Sequence, residues 1–198
     1  MSTTSDELRR VALEEFASAG YHATSLQQIA DRAGVSKATV LYHFASKEVL
    51  LESVLAPAIE QLDGILGQAR LAGLRHGGEQ RTLFIEHFVD FLLLHRSAAY
   101  VFVNQATTLG DVPIIQRANA EIQLVCGYLE ENVGSLEERV RFGVALGGAA
   151  YLLAGAPMVM PEQDLDPLRA ALVTVLGELL SVSPAPSSAL FAASSVTD

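Results

Sequence analysis

The sequence predicts an all-α chain: three short N-terminal helices forming a helix-turn-helix unit, then a larger helical domain, about nine helices in all. Three observations carry this. Apolar residues recur at helical spacing along nearly all of the 198 residues, and no run alternates as a strand would. Ser25, Ser36 and Ser46 each stand just before an apolar-periodic segment, where a helix cap belongs. The chain is 50% hydrophobic and only 18% charged, so it can bury a large core and is not intrinsically disordered.

The first helix is expected from about Asp6 to Ala19, with Leu8, Val11, Ala12 and Phe16 on one face and Gly20 as a left-handed stop. Ser25 with Gln28 has capping-box spacing and opens a second helix, which turns Leu26, Ile29, Ala30 and Ala33 inward and ends at Gly34. Ser36 caps a third, running to about Phe44. Ser46 caps a fourth, which reaches about Leu71 with a kink expected at Pro57. The Gly-rich stretch 73–80 breaks the pattern. Further helices are expected at Arg81–His95, Ser97–Leu109, Pro113–Asn132, Leu136–Gly155 and Leu165–Leu180. The Pro113 helix carries the stripe Ile114, Ala118, Ile122, Val125 and Leu129. Residues 161–164 read as a loop and 183–198, rich in Pro, Ser and Ala, as a flexible tail. The organisation is therefore 1–50, 51–182 and 183–198.

Net charge is −10, which by itself argues against a nucleic-acid partner. It is unevenly placed. Residues 1–50 hold five basic and six acidic groups, and the rest hold eight and seventeen. Both lysines, Lys37 and Lys47, lie in the first quarter. One cysteine, Cys126, excludes an intramolecular disulfide framework. With no apolar signal core in MSTTSDELRR, a cytoplasmic location is expected. Phe142 to Met160 carries no charge for 19 residues, but nine of them are Gly or Ala and Pro157 interrupts the end. A buried helix suits this better than a membrane span.

Two short helices meet at Gly34-Val35-Ser36. Gly34 supplies a positive φ at the corner, and Ile29, Ala30, Val35 and Val40 pack the pair together. The second helix then projects its N-terminal residues outward, as entry into a major groove requires. Ala12, Phe16, Gly20, Thr24, Ile29-Ala30, Ala33-Gly34-Val35-Ser36, Thr39, Phe44 and Ser46-Lys47-Glu48 with Leu50 resemble the N-terminal signature of the TetR family of bacterial transcriptional regulators. The likeness covers about residues 8–55.

The resemblance implies DNA-contact roles by position. Ser25 would donate to a phosphate and Gln27 would reach a base edge. Ser36, Lys37, Ala38 and Thr39 open the recognition helix, with Tyr42 and His43 one turn on. Lys47 would anchor a phosphate as a flexible point charge. Leu41 stands where the family often has Tyr and is expected to pack inward.

Phe84, Phe88 and Phe91, with Tyr100, Asn104 and Tyr128 on neighbouring helices, suit either plain core or the wall of a cavity for an apolar or aromatic small-molecule effector, which the family implies. His87 and His95 lack the further ligands a metal needs, and no cofactor is expected. Gly143, Gly147, Ala150 and Ala154 form a small-residue stripe, and Leu168, Leu172, Val175 and Leu179 stripe the last helix. The family implies that these build a four-helix homodimer interface. No nucleophile elbow, phosphate-cradling loop or metal set supports an enzyme. The expected function is a dimeric repressor on a palindromic double-stranded DNA operator, released by its effector and with no membrane partner. The alternative is a helical small-molecule-binding protein of the same fold that has lost DNA binding.

Overall fold

The computed structural model describes residues 3–73, 78–133, 135–154 and 164–181. The tail 183–198, Gly155 and loop residues 161–163 lie outside these. Helix α1 (Thr4–Ser18) starts two residues before the apolar stripe suggested. Thr3 is its cap: the hydroxyl accepts from the Asp6 N–H at 3.2 Å, and the Asp6 carboxylate accepts from the Thr3 N–H at 3.1 Å. The predicted face of Leu8, Val11, Ala12 and Phe16 is buried. Gly20, with φ of 88°, turns the chain out of α1.

Helices α2 (Leu26–Arg32) and α3 (Lys37–His43) follow, each opened by the predicted serine cap. Gly34 has φ of 69°, and the Val35 N–H donates back to the Ala30 carbonyl at 3.0 Å, closing the turn. Helix α4 (Lys47–Ala72) continues through Pro57. The domain limit expected at residue 50 therefore falls inside α4, whose first turns complete the N-terminal core with Leu50, Leu51 and Val54.

The larger part contains α5 (Glu79–Leu94), α6 (Arg96–Gln105), α7 (Pro113–Asn132), α8 (Leu136–Ala154) and α9 (Leu165–Ser181). Helix α5 lies against α4, α8 and α9; α6 packs on α8 and reaches α1; α7 packs on α4. Because α7 has one main neighbour, it covers a narrower stripe than expected. Ile115 joins Ile114, Ala118 and Leu129 in the core, and Ile122 is exposed, a correction to the predicted stripe. Arg81 is buried where α5, α8 and α9 meet. Its guanidinium donates to the Leu180 carbonyl at 2.6 Å and to Glu138 at 2.8 Å, and lies 5.0 Å from the Phe142 ring centre. Among the described residues no helix is long and apolar enough to cross a membrane.

Candidate nucleic-acid interface

Between them, α2 and α3 bury Ile29, Ala30 and Val40, which leaves the opposite side of α3 in solvent. Lys37, Ala38, Tyr42 and His43 are all exposed there, Tyr42 at 86%. The Tyr42 and His43 rings meet edge to face at 5.3 Å. Ser36 caps α3 through the Thr39 N–H at 3.1 Å, and its hydroxyl lies 2.9 Å from that of Thr39. Leu41 is 43% exposed and does not pack inward. Val40 and Phe44 already occupy the buried face of α3, and a residue about 100° round from Val40 must point elsewhere.

The residues at the start of α2 are more occupied. Ser25 donates its hydroxyl hydrogen to Gln28 at 2.8 Å and accepts from the Gln28 N–H at 3.2 Å. The Gln27 amide donates to Asp31 at 2.7 Å. Lys47 turns inward: its ammonium donates to the carbonyls of Tyr21 at 2.8 Å and Thr24 at 2.9 Å and sits 4.3 Å from the Tyr21 ring centre. Partial burial lowers its pKa below that of a free lysine, an effect that Glu48 opposes.

The arginines nearby are neutralised locally. Arg9 pairs with Asp6 at 3.0 Å, Arg10 bridges Glu7 and Glu14, and Arg32 bridges Glu14 and Glu15. Among the described residues up to position 50, Lys37 is the one cation with neither an ion pair nor a hydrogen bond. It stands at the first position of α3.

The predicted effector residues divide. Phe84, Phe88 and Phe91 form a buried row with centroid separations of 5.9 and 6.2 Å. Only Phe84 and Tyr128 of the six reach the cavity between α4, α5, α7 and α8, whose wall also includes Leu66, Arg70, Leu129 and Phe142. Its free space is about 10 Å³, room for roughly one water molecule. Phe88 and Phe91 pack in the core; Tyr100 is half-buried; Asn104 is exposed and donates to the Tyr100 carbonyl at 2.9 Å. The sequence gives no signal for Arg70 or Phe142, because their approach to Phe84 is long-range. Among the described residues no group of three or more His, Cys, Asp or Glu could hold a metal.

The predicted dimer stripes split as well. Gly143 and Gly147 are exposed and Ala150 is half-buried, but Ala154 is buried within the chain at the end of α8. Leu172 is buried with Leu176 and Leu180, the row that seats α9 on α5 and α8, whereas Leu168 and Leu179 are half-buried and Val175 is half-exposed. The open face of α8 carries Leu136, Val140, Val144 and Tyr151 beside the two glycines, at helical spacing that the small-residue stripe obscured.

Residues 8–54 match the family model described as bacterial regulatory proteins, tetR family. The chain is 38% identical over 107 residues to the HTH-type transcriptional activator FasR of Mycolicibacterium smegmatis, covering 52% of this chain and 47% of that one. It is 33% identical over 109 residues to the HTH-type transcriptional repressor KstR2 of the same organism, covering 54% and 52%. The matched segment thus spans about half the length of these relatives. The ketosteroid transcriptional regulator KstR2 of Mycobacterium tuberculosis shares the fold, with a TM-score of 0.72 at 17% identity over 91% of this chain and 94% of that one. Residues 8–54 thus form a helix-turn-helix of the tetR type, carried on a chain whose helices follow the fold of a solved regulator.

Proposed function

We propose that the protein is a transcriptional repressor that binds a palindromic operator as a homodimer and is released by a small apolar or aromatic effector. The observation that carries the DNA-binding part is the free face of α3, on which Lys37, Ala38, Tyr42 and His43 stand exposed behind a serine cap. A helix held at this angle by a buried partner fits a major groove, and Lys37 offers an unpaired charge at its leading end. Two copies are needed to read two half-sites about 34–36 Å apart. The apolar face of α8, with the exposed side of α9 next to it, gives them a surface to share.

The effector reading rests on a cavity wall that is apolar apart from Arg70 and Tyr128. A cavity of this size admits no effector, so binding selects a wider arrangement of α4, α5, α7 and α8 and draws the population towards it. Such a form would hold the two recognition helices at a spacing the operator does not match. FasR is named an activator and KstR2 a repressor, so direction of control needs its own measurement.

The test is selection of DNA from a random pool by the full chain, followed by gel shifts at several salt concentrations. Enrichment of a palindrome supports the reading; failure to retain any DNA at low salt favours the fold acting as a small-molecule-binding protein alone. A reporter placed behind the selected operator separates repression from activation.

A further inference from the structure

The corner between α1 and α2, residues 20–24, is held from two sides. From the N-terminal domain, Lys47 takes the Tyr21 and Thr24 carbonyls. From the other domain comes Gln105, the last residue of α6. Its amide nitrogen donates to the Phe16 carbonyl at 2.7 Å, and its amide oxygen accepts from the Tyr21 N–H at 2.7 Å. The Phe16 carbonyl is one of the four that the C-terminus of α1 leaves without a partner, and the Tyr21 N–H lies just past that end, outside any helix. A single side chain from 84 residues away thus closes the end of α1 and the start of the corner together.

The end of α6 is itself fixed. The Gln105 carbonyl accepts from the N–H groups of Thr108 at 3.0 Å and Leu109 at 2.9 Å, and Leu109 is buried. Nearby, the His22 ring lies 3.4 Å from the Thr108 carbonyl. On the far side, buried Thr24 donates its hydroxyl to the Gly20 carbonyl at 2.8 Å and leads directly into the Ser25 cap of α2. The path from α6 to the helix-turn-helix therefore runs through Gln105, the backbone N–H and carbonyl on either side of the Tyr21 Cα, and Lys47, each hydrogen bond along it 2.9 Å or less.

We infer that Gln105 is a positioning residue, whose two hydrogen bonds set the angle at which the helix-turn-helix is carried on the effector domain. This rests on the DNA-binding reading only for its consequence at the operator. Without the two bonds α1 still packs on α6, but the corner gains freedom to swing. The recognition helices then sample a range of spacings instead of one.

The experiment compares the full chain with Gln105→Ala and Gln105→Leu, in a Cys126→Ser background with spin labels at Ala45→Cys and Gln123→Cys. Labelled chain is diluted with unlabelled so that only distances within one chain are read. Leu fills the space of Gln but makes neither bond, so it separates hydrogen bonding from packing and covers the case in which Ala folds poorly. The expected result is a distance distribution at least about twice as wide in both variants, with faster hydrogen exchange at the Tyr21 amide. On palindromes built from the half-site that wild type selects, both variants should tolerate spacings one or two base pairs away from the preferred one. An unchanged distance distribution in the Leu variant overturns the inference. If no half-site is ever selected, the DNA-binding reading fails, and the distance distribution alone still decides what Gln105 does.

Discussion

Lys37 and Lys47 are the only lysines in the chain, and they do different work. Lys37 has its charge free at the leading end of α3, whereas Lys47 has both its bonds inside the domain. Lys37→Ala should weaken operator binding about five- to tenfold and reduce the salt slope by roughly one ion, read from gel shifts across salt concentrations. Lys47→Ala should lower unfolding stability by about 1–3 kcal/mol, because two part-buried carbonyls lose a charged donor. Urea titration measures that loss. The salt slope distinguishes this role from phosphate anchoring: a slope unchanged in the Lys47 variant means the ammonium stays inside when DNA binds. Both lysines were legible in the sequence as members of the motif. Their difference was not, since nothing local to Ser46-Lys47-Glu48 reveals that the Tyr21 and Thr24 carbonyls lie above it.

Among the helices, those of the N-terminal unit were read closely from sequence because their signals are local. Ser25, Ser36 and Ser46 cap the positions expected of them, and Gly20 and Gly34 take the positive φ their turns need. The apolar faces of the later helices are less legible. A stripe at helical spacing says which side of a helix is apolar, but not whether this chain or a second one covers it. Leu172 and Ala154 are covered by this chain; Val144 is not. Val144→Glu on the open face of α8 should therefore leave the fold intact and convert the proposed dimer to monomer, with operator affinity falling at least about tenfold. Sedimentation velocity at micromolar concentration measures the first effect and a gel shift the second. Leu172→Glu serves as the contrast and should unfold the chain.

At the scale of the molecule, two groups tie distant elements together. Arg81 holds the ends of α5, α8 and α9, and Arg81→Leu should cost about 3–5 kcal/mol by leaving Glu138 without its buried guanidinium, measurable in a denaturant titration. His95, at the α5–α6 junction, lies 2.7 Å from the Gln61 side-chain oxygen on α4, and burial lowers its pKa below the ordinary 6.5. The folded state therefore favours the neutral ring. Its contribution to stability is complete above about pH 6.5 and declines as the pH falls towards the depressed folded-state value. Replacing His95 by Gln should remove that part of the acid-side loss in a series of melts between about pH 5 and pH 8.

Helix α4 has a consequence for how the chain is made. Leu8, Val11 and Phe16 are covered together with Leu50, Leu51 and Val54, so the N-terminal unit stays open until the first two turns of α4 have left the ribosome. The same helix, some fifteen residues later, presents Ile65, Leu66 and Ala69 to helices not yet synthesised. The nascent chain thus passes through a stage in which a finished domain trails an apolar handle. That handle stays in contact with water until α5 and α7 emerge to cover it.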